Sequence, residues 1–230
     1  MPYLNKHFRT MLIDMPGYAK GSSYHGHFDI DALANALVPA IPEKSILCGW
    51  SLGGIVAIRI AGILKNRIKA LALITSTPCF IRKEDWLPGI DKVLIETMHE
   101  KIAAGEKEKV LKEFALLIAS GGADKKLVLR KLNAMIPDQL PDRKVLEDGL
   151  KVLIETDLRE GLQSLTIPVV MLLSDNDQLI AMETGQEMKK IFPAAKIHYM
   201  NSSGHAPFIS MPEEFCNRLI SSLQDVKANG

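Results

Sequence analysis

The stretch Ser45-Ile46-Leu47-Cys48-Gly49-Trp50-Ser51-Leu52-Gly53-Gly54-Ile55 decides the fold. An apolar run ends in a glycine-flanked serine, and a helical pattern begins at once, near Ile55. Such a run, bounded by turn residues, reads as a buried strand. A serine on a sharp strand-to-helix turn is pushed out at the carboxyl end of a sheet, and small residues two before and two after it let backbones pass closely. The amide of Leu52 then becomes an oxyanion donor, aided by the start of the helix. Ser51 is therefore a candidate nucleophile.

Working outward, apolar runs at Met11 to Ile13, Ile46 to Cys48, Leu71 to Thr75, Val169 to Leu173 and Lys196 to Met200 read as further strands. Helical patterns at Ile30 to Ile41, Ile55 to Leu64, Glu183 to Ile191 and Pro212 to Leu223 alternate with them. This alternation implies right-handed crossovers and an α/β fold with a mostly parallel sheet and helices on both faces. It stops between Phe80 and about Leu158, where helix-like stretches broken at Gly105, Gly121-Gly122 and Pro137 predict a helical insertion. The expected division is a core of residues 1–80 and 159–230 with a helical cap of residues 81–158.

The bulk properties exclude several function classes. The 230 residues are 47% hydrophobic with a formal net charge of +1, which favours one domain and offers no bulk signal for nucleic acid or a membrane surface. Cys48, Cys79 and Cys216 lie far apart without a CxxC pair, fitting neither a disulfide framework nor a zinc site. No run approaches a membrane span, and the first residues lack a signal-peptide core. A cytoplasmic monomer without metal or organic cofactor is expected.

Serine is a poor nucleophile without a base and a group to orient that base. His205 lies in Asn201-Ser202-Ser203-Gly204-His205-Ala206-Pro207, after the last strand and before the last helix. The histidines at positions 7, 25, 27, 99 and 198 read as surface or strand residues. The loop Ser174-Asp175-Asn176-Asp177-Gln178-Leu179-Ile180 offers two aspartates; Asp177 suits the orienting role, with Asp175 capping the turn. The order Ser51, Asp177, His205, each following a strand, is the α/β-hydrolase order. Trp50, next to the serine, reads either as a wall of the substrate pocket or as packing.

These residues, with Asp14-Met15-Pro16-Gly17-Tyr18, Ser76-Thr77-Pro78-Cys79-Phe80 leading to Trp86, and Gly204-His205-Ala206-Pro207-Phe208-Ile209-Ser210, resemble the pimeloyl-[acyl-carrier protein] methyl ester carboxylesterases of biotin synthesis. The resemblance implies an α/β-hydrolase fold, a Ser51, Asp177, His205 triad, and a substrate site made of Trp50, Ser51, Leu52, His205 and the helical stretch Phe114-Ala115-Leu116-Leu117-Ile118. It also implies an acidic acyl carrier protein as partner. Lys101 to Lys131 hold eight basic and four acidic residues, and Lys109, Lys126 and Arg130 fall where the family places carrier contacts. An excess of positive charge would steer an acidic carrier, although on charge alone it equally fits a solvated helix face.

Members of that family begin with additional strands and a His-Gly loop that supplies a second oxyanion donor. The expectation is an N-terminally shortened α/β-hydrolase, explained by a start codon assigned too late; extending the reading frame upstream tests it. The alternatives are a chain degraded in evolution, or a Thr10 to Asp14 strand that slides beside the nucleophile strand. The rival functions are hydrolysis of another small ester or a carbon–carbon bond, and a non-catalytic carrier-binding protein.

Overall fold

The computed structural model describes residues 3–18, 28–136 and 140–228. Pro137, His25 and His27 lie outside them. Among the described residues, strands β1 (Ser45–Trp50), β2 (Ile68–Ile74), β3 (Val169–Ser174) and β4 (Lys196–Met200) form one sheet in the order β1-β2-β3-β4. Every pairing is parallel: Cys48 lies opposite Ala72, Leu73 opposite Met171, and Leu172 opposite His198.

In chain order the helices are α1 (Ile30–Leu37), α2 (Leu52–Leu64), α3 (Lys92–Ala103), α4 (Lys107–Ala119), α5 (Lys125–Met135), α6 (Arg143–Glu155), α7 (Arg159–Gln163), α8 (Thr184–Ile191), α9 (Pro207–Ser210) and α10 (Pro212–Ala228). Asp29, Asp91 and Asp124 start α1, α3 and α5, each accepting a backbone N–H from the first turn; such caps satisfy donors that no helical carbonyl can reach. None of the described helices is long and apolar enough to cross a membrane.

The period of two along the strands sorts their side chains to two faces. In β2, Leu71 and Leu73 join the larger core with α1, α2 and α7, while Ala70, Ala72 and Ile74 face the other way, into a second cluster with Phe215, Leu219 and Leu223 of α10. β2 and β3 are the buried centre, and Leu71, Leu73 and Leu172 have no exposed surface. Each such side chain contributes about 1.5 to 3 kcal/mol of hydrophobic stabilisation. The carboxyl ends of these strands are thus a rigid platform.

Helices α3 to α6 follow β2 without an intervening strand, α3 packing on α6 and α4 on α5. The predicted strand at Met11 to Ile13 does not form. That segment is irregular, with Leu12 79% exposed, and it does not slide beside β1, which pairs among the described residues only with β2. An apolar triplet qualifies as a strand only if a neighbour accepts its hydrogen bonds, and among the described residues no strand pairs with this one.

Candidate active site

Ser51 stands between β1 and α2 with φ 51° and ψ −123°, a conformation that non-glycine residues rarely adopt. Its amide donates to the Ile74 carbonyl at 3.1 Å, and its own carbonyl accepts from the amide of Gly54 and from Ser76 Oγ, the latter at 2.8 Å. The strain is therefore held from both sides, as expected of a turn that presents a side chain for chemistry. Leu52 opens α2, where helix geometry leaves its amide without an intrahelical acceptor.

The glycines divide the work differently from the sequence reading. A Cβ on Gly49 would sit 2.3 Å from the Gly53 carbonyl oxygen, and one on Gly54 would sit 2.5 Å from Ser76 Cβ. A Cβ on Gly53 would meet nothing within 4 Å. The close backbone passage rests on Gly49 and Gly54, whereas Gly53 is not sterically required.

The structure brings Asp177 and His205 together in a buried pair, with Asp177 Oδ2 2.8 Å from His205 Nδ1 and neither side chain exposed. An ionised carboxylate can only accept, so Nδ1 carries the proton and Nε2 offers its lone pair. Among the described residues Nε2 is buried without a hydrogen-bond partner; the Ser51 hydroxyl does not bond to it here. Catalytic contacts often lengthen in the absence of substrate.

Asp177 Oδ1 accepts the amides of Leu179 and Ile180 at 2.8 and 3.1 Å. Turn-capping, assigned in the sequence to Asp175, thus belongs to Asp177 itself. Asp175 instead accepts the Ser202 amide at 2.6 Å, tying the acid loop to the histidine loop.

The double glycine between α4 and α5 does more than break a helix. A Cβ on Gly121, which has φ 86°, would sit 1.7 Å from the Asn176 carbonyl oxygen. Gly122 forms an antiparallel bridge with Ser203, and the Ala123 amide donates to the Ser202 carbonyl. The helical segment therefore rests directly on both loops.

The stretch Phe114 to Ile118 does not present one face. Ala115 and Ile118 are buried, Phe114 and Leu117 are half-buried, and Leu116 is 44% exposed, as 100° per residue requires. Lys126 and Arg130, one turn apart on α5, are exposed, and Lys109 is exposed on α4 in an ion pair with Glu106. The Trp50 indole is turned toward the histidine loop: Nε1 donates to the His205 carbonyl, and the ring packs edge-on against Phe208 at 5.0 Å.

The sequence motif ending in Trp86 is a clasp. Trp86 Nε1 donates to the Cys79 carbonyl, Arg159 lies over the Trp86 ring, and Asp157 pairs with both Arg159 and Lys83.

Residues 1–218 match the family model described as the alpha/beta hydrolase family. Two relatives named pimeloyl-[acyl-carrier protein] methyl ester esterase are similar to the chain. The one from Pectobacterium atrosepticum is 32% identical over 96% of this chain and 86% of its own length. The one from Nitrosomonas europaea is 34% identical over 92% and 84%. Among solved structures, an esterase from Exiguobacterium antarcticum superposes with a TM-score of 0.81 at 20% identity, over 93% of this chain and 80% of that one. An enol-lactonase from Burkholderia xenovorans gives 0.81 at 17% identity, over 96% and 83%. With its elbow serine, buried Asp–His pair and parallel sheet, this chain belongs to the α/β-hydrolase family.

Proposed function

We propose that this protein is a serine carboxylesterase that hydrolyses the methyl ester of pimeloyl-[acyl-carrier protein], the activity named for its relatives. The observation that carries the reading is the buried Asp177–His205 pair, with Nε2 left unpartnered among the described residues on a loop bonded to Trp50, the strand residue that precedes Ser51. Ser51 Oγ attacks the ester carbonyl while His205 Nε2 takes its proton; the oxyanion forms at the Leu52 amide. Asp177 keeps the imidazole in its tautomer and stabilises the imidazolium. The proton passes to the methoxy oxygen, methanol leaves, and water, deprotonated by His205, releases the free carboxylate and restores Ser51.

Residues 81–158 act as a cap on the core of residues 1–80 and 159–230. Phe114 to Ile118, with Trp50, contact the acyl chain, and Lys109, Lys126 and Arg130 meet the acidic carrier. The protein acts as a cytoplasmic monomer in biotin synthesis, with no metal or organic cofactor.

The test is methanol release from pimeloyl-[acyl-carrier protein] methyl ester by the purified chain, with Ser51→Ala as control. Turnover lost in the variant supports the reading. Turnover of free esters alone points to another small-ester hydrolase. Carrier binding without fluorophosphonate labelling of Ser51 points to a non-catalytic role.

A further inference from the structure

The His205 main-chain carbonyl accepts two side-chain hydrogen bonds, from Trp50 Nε1 at 2.7 Å and from Thr75 Oγ1 at 2.8 Å. Both of its lone pairs are engaged. Trp50 immediately precedes the nucleophile, and Thr75 immediately follows β2. The neighbours of Thr75 grip the nucleophile itself: the Ile74 carbonyl accepts from the Ser51 amide, and Ser76 Oγ donates to the Ser51 carbonyl. Of three consecutive residues, Ile74 and Ser76 thus hold Ser51, and Thr75 between them holds His205.

Thr75 is fully buried and has φ 37°. A β-branched residue in the left-handed region is an outlier, and such conformations persist only where the surroundings over-determine them. Here the Thr75 amide is bonded to the Leu172 carbonyl at 2.8 Å and its hydroxyl to His205. The histidine loop needs the restraint, because Ser202 and Gly204 also have positive φ.

We propose that Trp50 and Thr75 are positioning residues of the ester-hydrolysing site, holding His205 by its main-chain carbonyl so that Nε2 stays in register with Ser51. Asp177 anchors the ring at Nδ1, and the two donors anchor the backbone from which the ring hangs. With both ends fixed, χ1 and χ2 have one solution and Nε2 one place. Trp50 therefore serves the base through its indole N–H, beyond the acyl contact given to it above. The proposal rests on the serine-hydrolase reading and is independent of the carrier-bound substrate.

The discriminating variants are Thr75→Val, which keeps shape and branching but loses the donor, Thr75→Ser, which keeps the donor, and Trp50→Phe, which keeps an aromatic ring beside Phe208. Turnover of a small free ester, p-nitrophenyl acetate, is measured in the full chain. Thr75→Val and Trp50→Phe each lower kcat about tenfold and together about a hundredfold, with KM little changed, since misplacement of a catalytic group by about 1 Å costs that order. Thr75→Ser stays near wild type. Independently of turnover, solvent exchange of the His205 Nδ1 proton, followed by NMR, quickens in Thr75→Val and not in Thr75→Ser.

Unchanged kcat and unchanged proton exchange in folded Thr75→Val would overturn the proposal. So would a Trp50→Phe variant that raises KM alone, because Trp50 would then only line the pocket. If Trp50→Phe does not fold, the Thr75 pair decides. A chain active on the free ester but inert toward the carrier ester refutes the substrate reading and leaves this one standing.

Discussion

The carboxyl edge of the sheet and the helices above it are built to different tolerances. At the edge, Ser51, Thr75, Ser202 and Gly204 all hold positive φ, Gly49 and Gly54 leave no room for a methyl group, and Asp177 and His205 are buried and bonded to each other. In the helices, α5 buries Val128 alone among its residues while α6 buries Val145, Leu146, Val152 and Leu153, and ion pairs such as Lys92–Glu96 and Lys109–Glu106 are exposed. Exposed pairs contribute little, about 0 to 1 kcal/mol each. Bond-making needs sub-ångström placement, which only the core supplies. Selecting a large charged partner needs long-range charge, which exposed side chains on a helix surface supply.

The largest break in this contrast comes from Asp177→Asn. The amide can still meet the Leu179 and Ile180 amides, but it can also donate to Nδ1 and so favour the wrong tautomer. We expect kcat on a free ester to fall about 10⁴-fold with KM little changed, measured by steady-state kinetics beside a thermal melt. A loss under about tenfold would place the orienting role elsewhere.

Gly54→Ala tests the packing side of the same edge. The new methyl group meets Ser76 Cβ and Oγ, which cannot both withdraw while Oγ still bonds to the Ser51 carbonyl. Overpacking of this kind costs about 2 kcal/mol, read as a lower urea midpoint. Gly53→Ala has open space and is expected to be milder in the same titration.

On the helices, reversing charge at Lys109, Lys126 and Arg130 together should raise KM for the carrier-bound ester about tenfold. Turnover of a free ester should stay unchanged, because these side chains are exposed on α4 and α5. Equal loss on both substrates would show that the helices shape the site and do not merely select the partner.

The same contrast explains what could be read in the sequence. Strands β2 and β3 are buried on both faces, so they appear as unbroken apolar runs, Leu71 to Ile74 and Val169 to Leu173, and the loops that follow them were legible by position. Met11 to Ile13 has the same local pattern without a strand partner among the described residues, which no window of sequence reveals. The donors to the His205 carbonyl were equally hidden, since they come from residues 155 and 130 positions away and end on a backbone atom whose identity is invisible in the sequence. Gly121-Gly122 read as a helix break because composition reports a turn; that the turn rests on Asn176 and Ser203 is tertiary information.

The smallest expected effect lies where the two regions are stitched together. The stretch that carries α3 to α6 begins past Cys79 and ends at Asp157; the two positions form an antiparallel bridge, and the Leu158 amide donates to the Pro78 carbonyl. Burial of Asp157 opposes its charge, but hydrogen bonds from Arg159 and Lys83 outweigh that effect and hold its carboxyl well below the usual carboxylate range. Because the folded value is depressed, this group contributes stability above the unfolded value, about pH 4, and loses it as pH falls toward the folded value. Asp157→Asn should cost about 1 kcal/mol at pH 7, since Lys83 and Asp85 open the cluster to solvent, at 40% and 72% exposure, and Arg159 keeps Asp85 as a partner. In melts from pH 7 down to pH 3, the gap between wild type and variant should narrow as the Asp157 carboxyl protonates in the unfolded chain while it stays ionised in the folded one. A gap that stays constant would mean that the junction is held by the Cys79 bridge and the buried Trp86 rather than by charge, making it part of the rigid core.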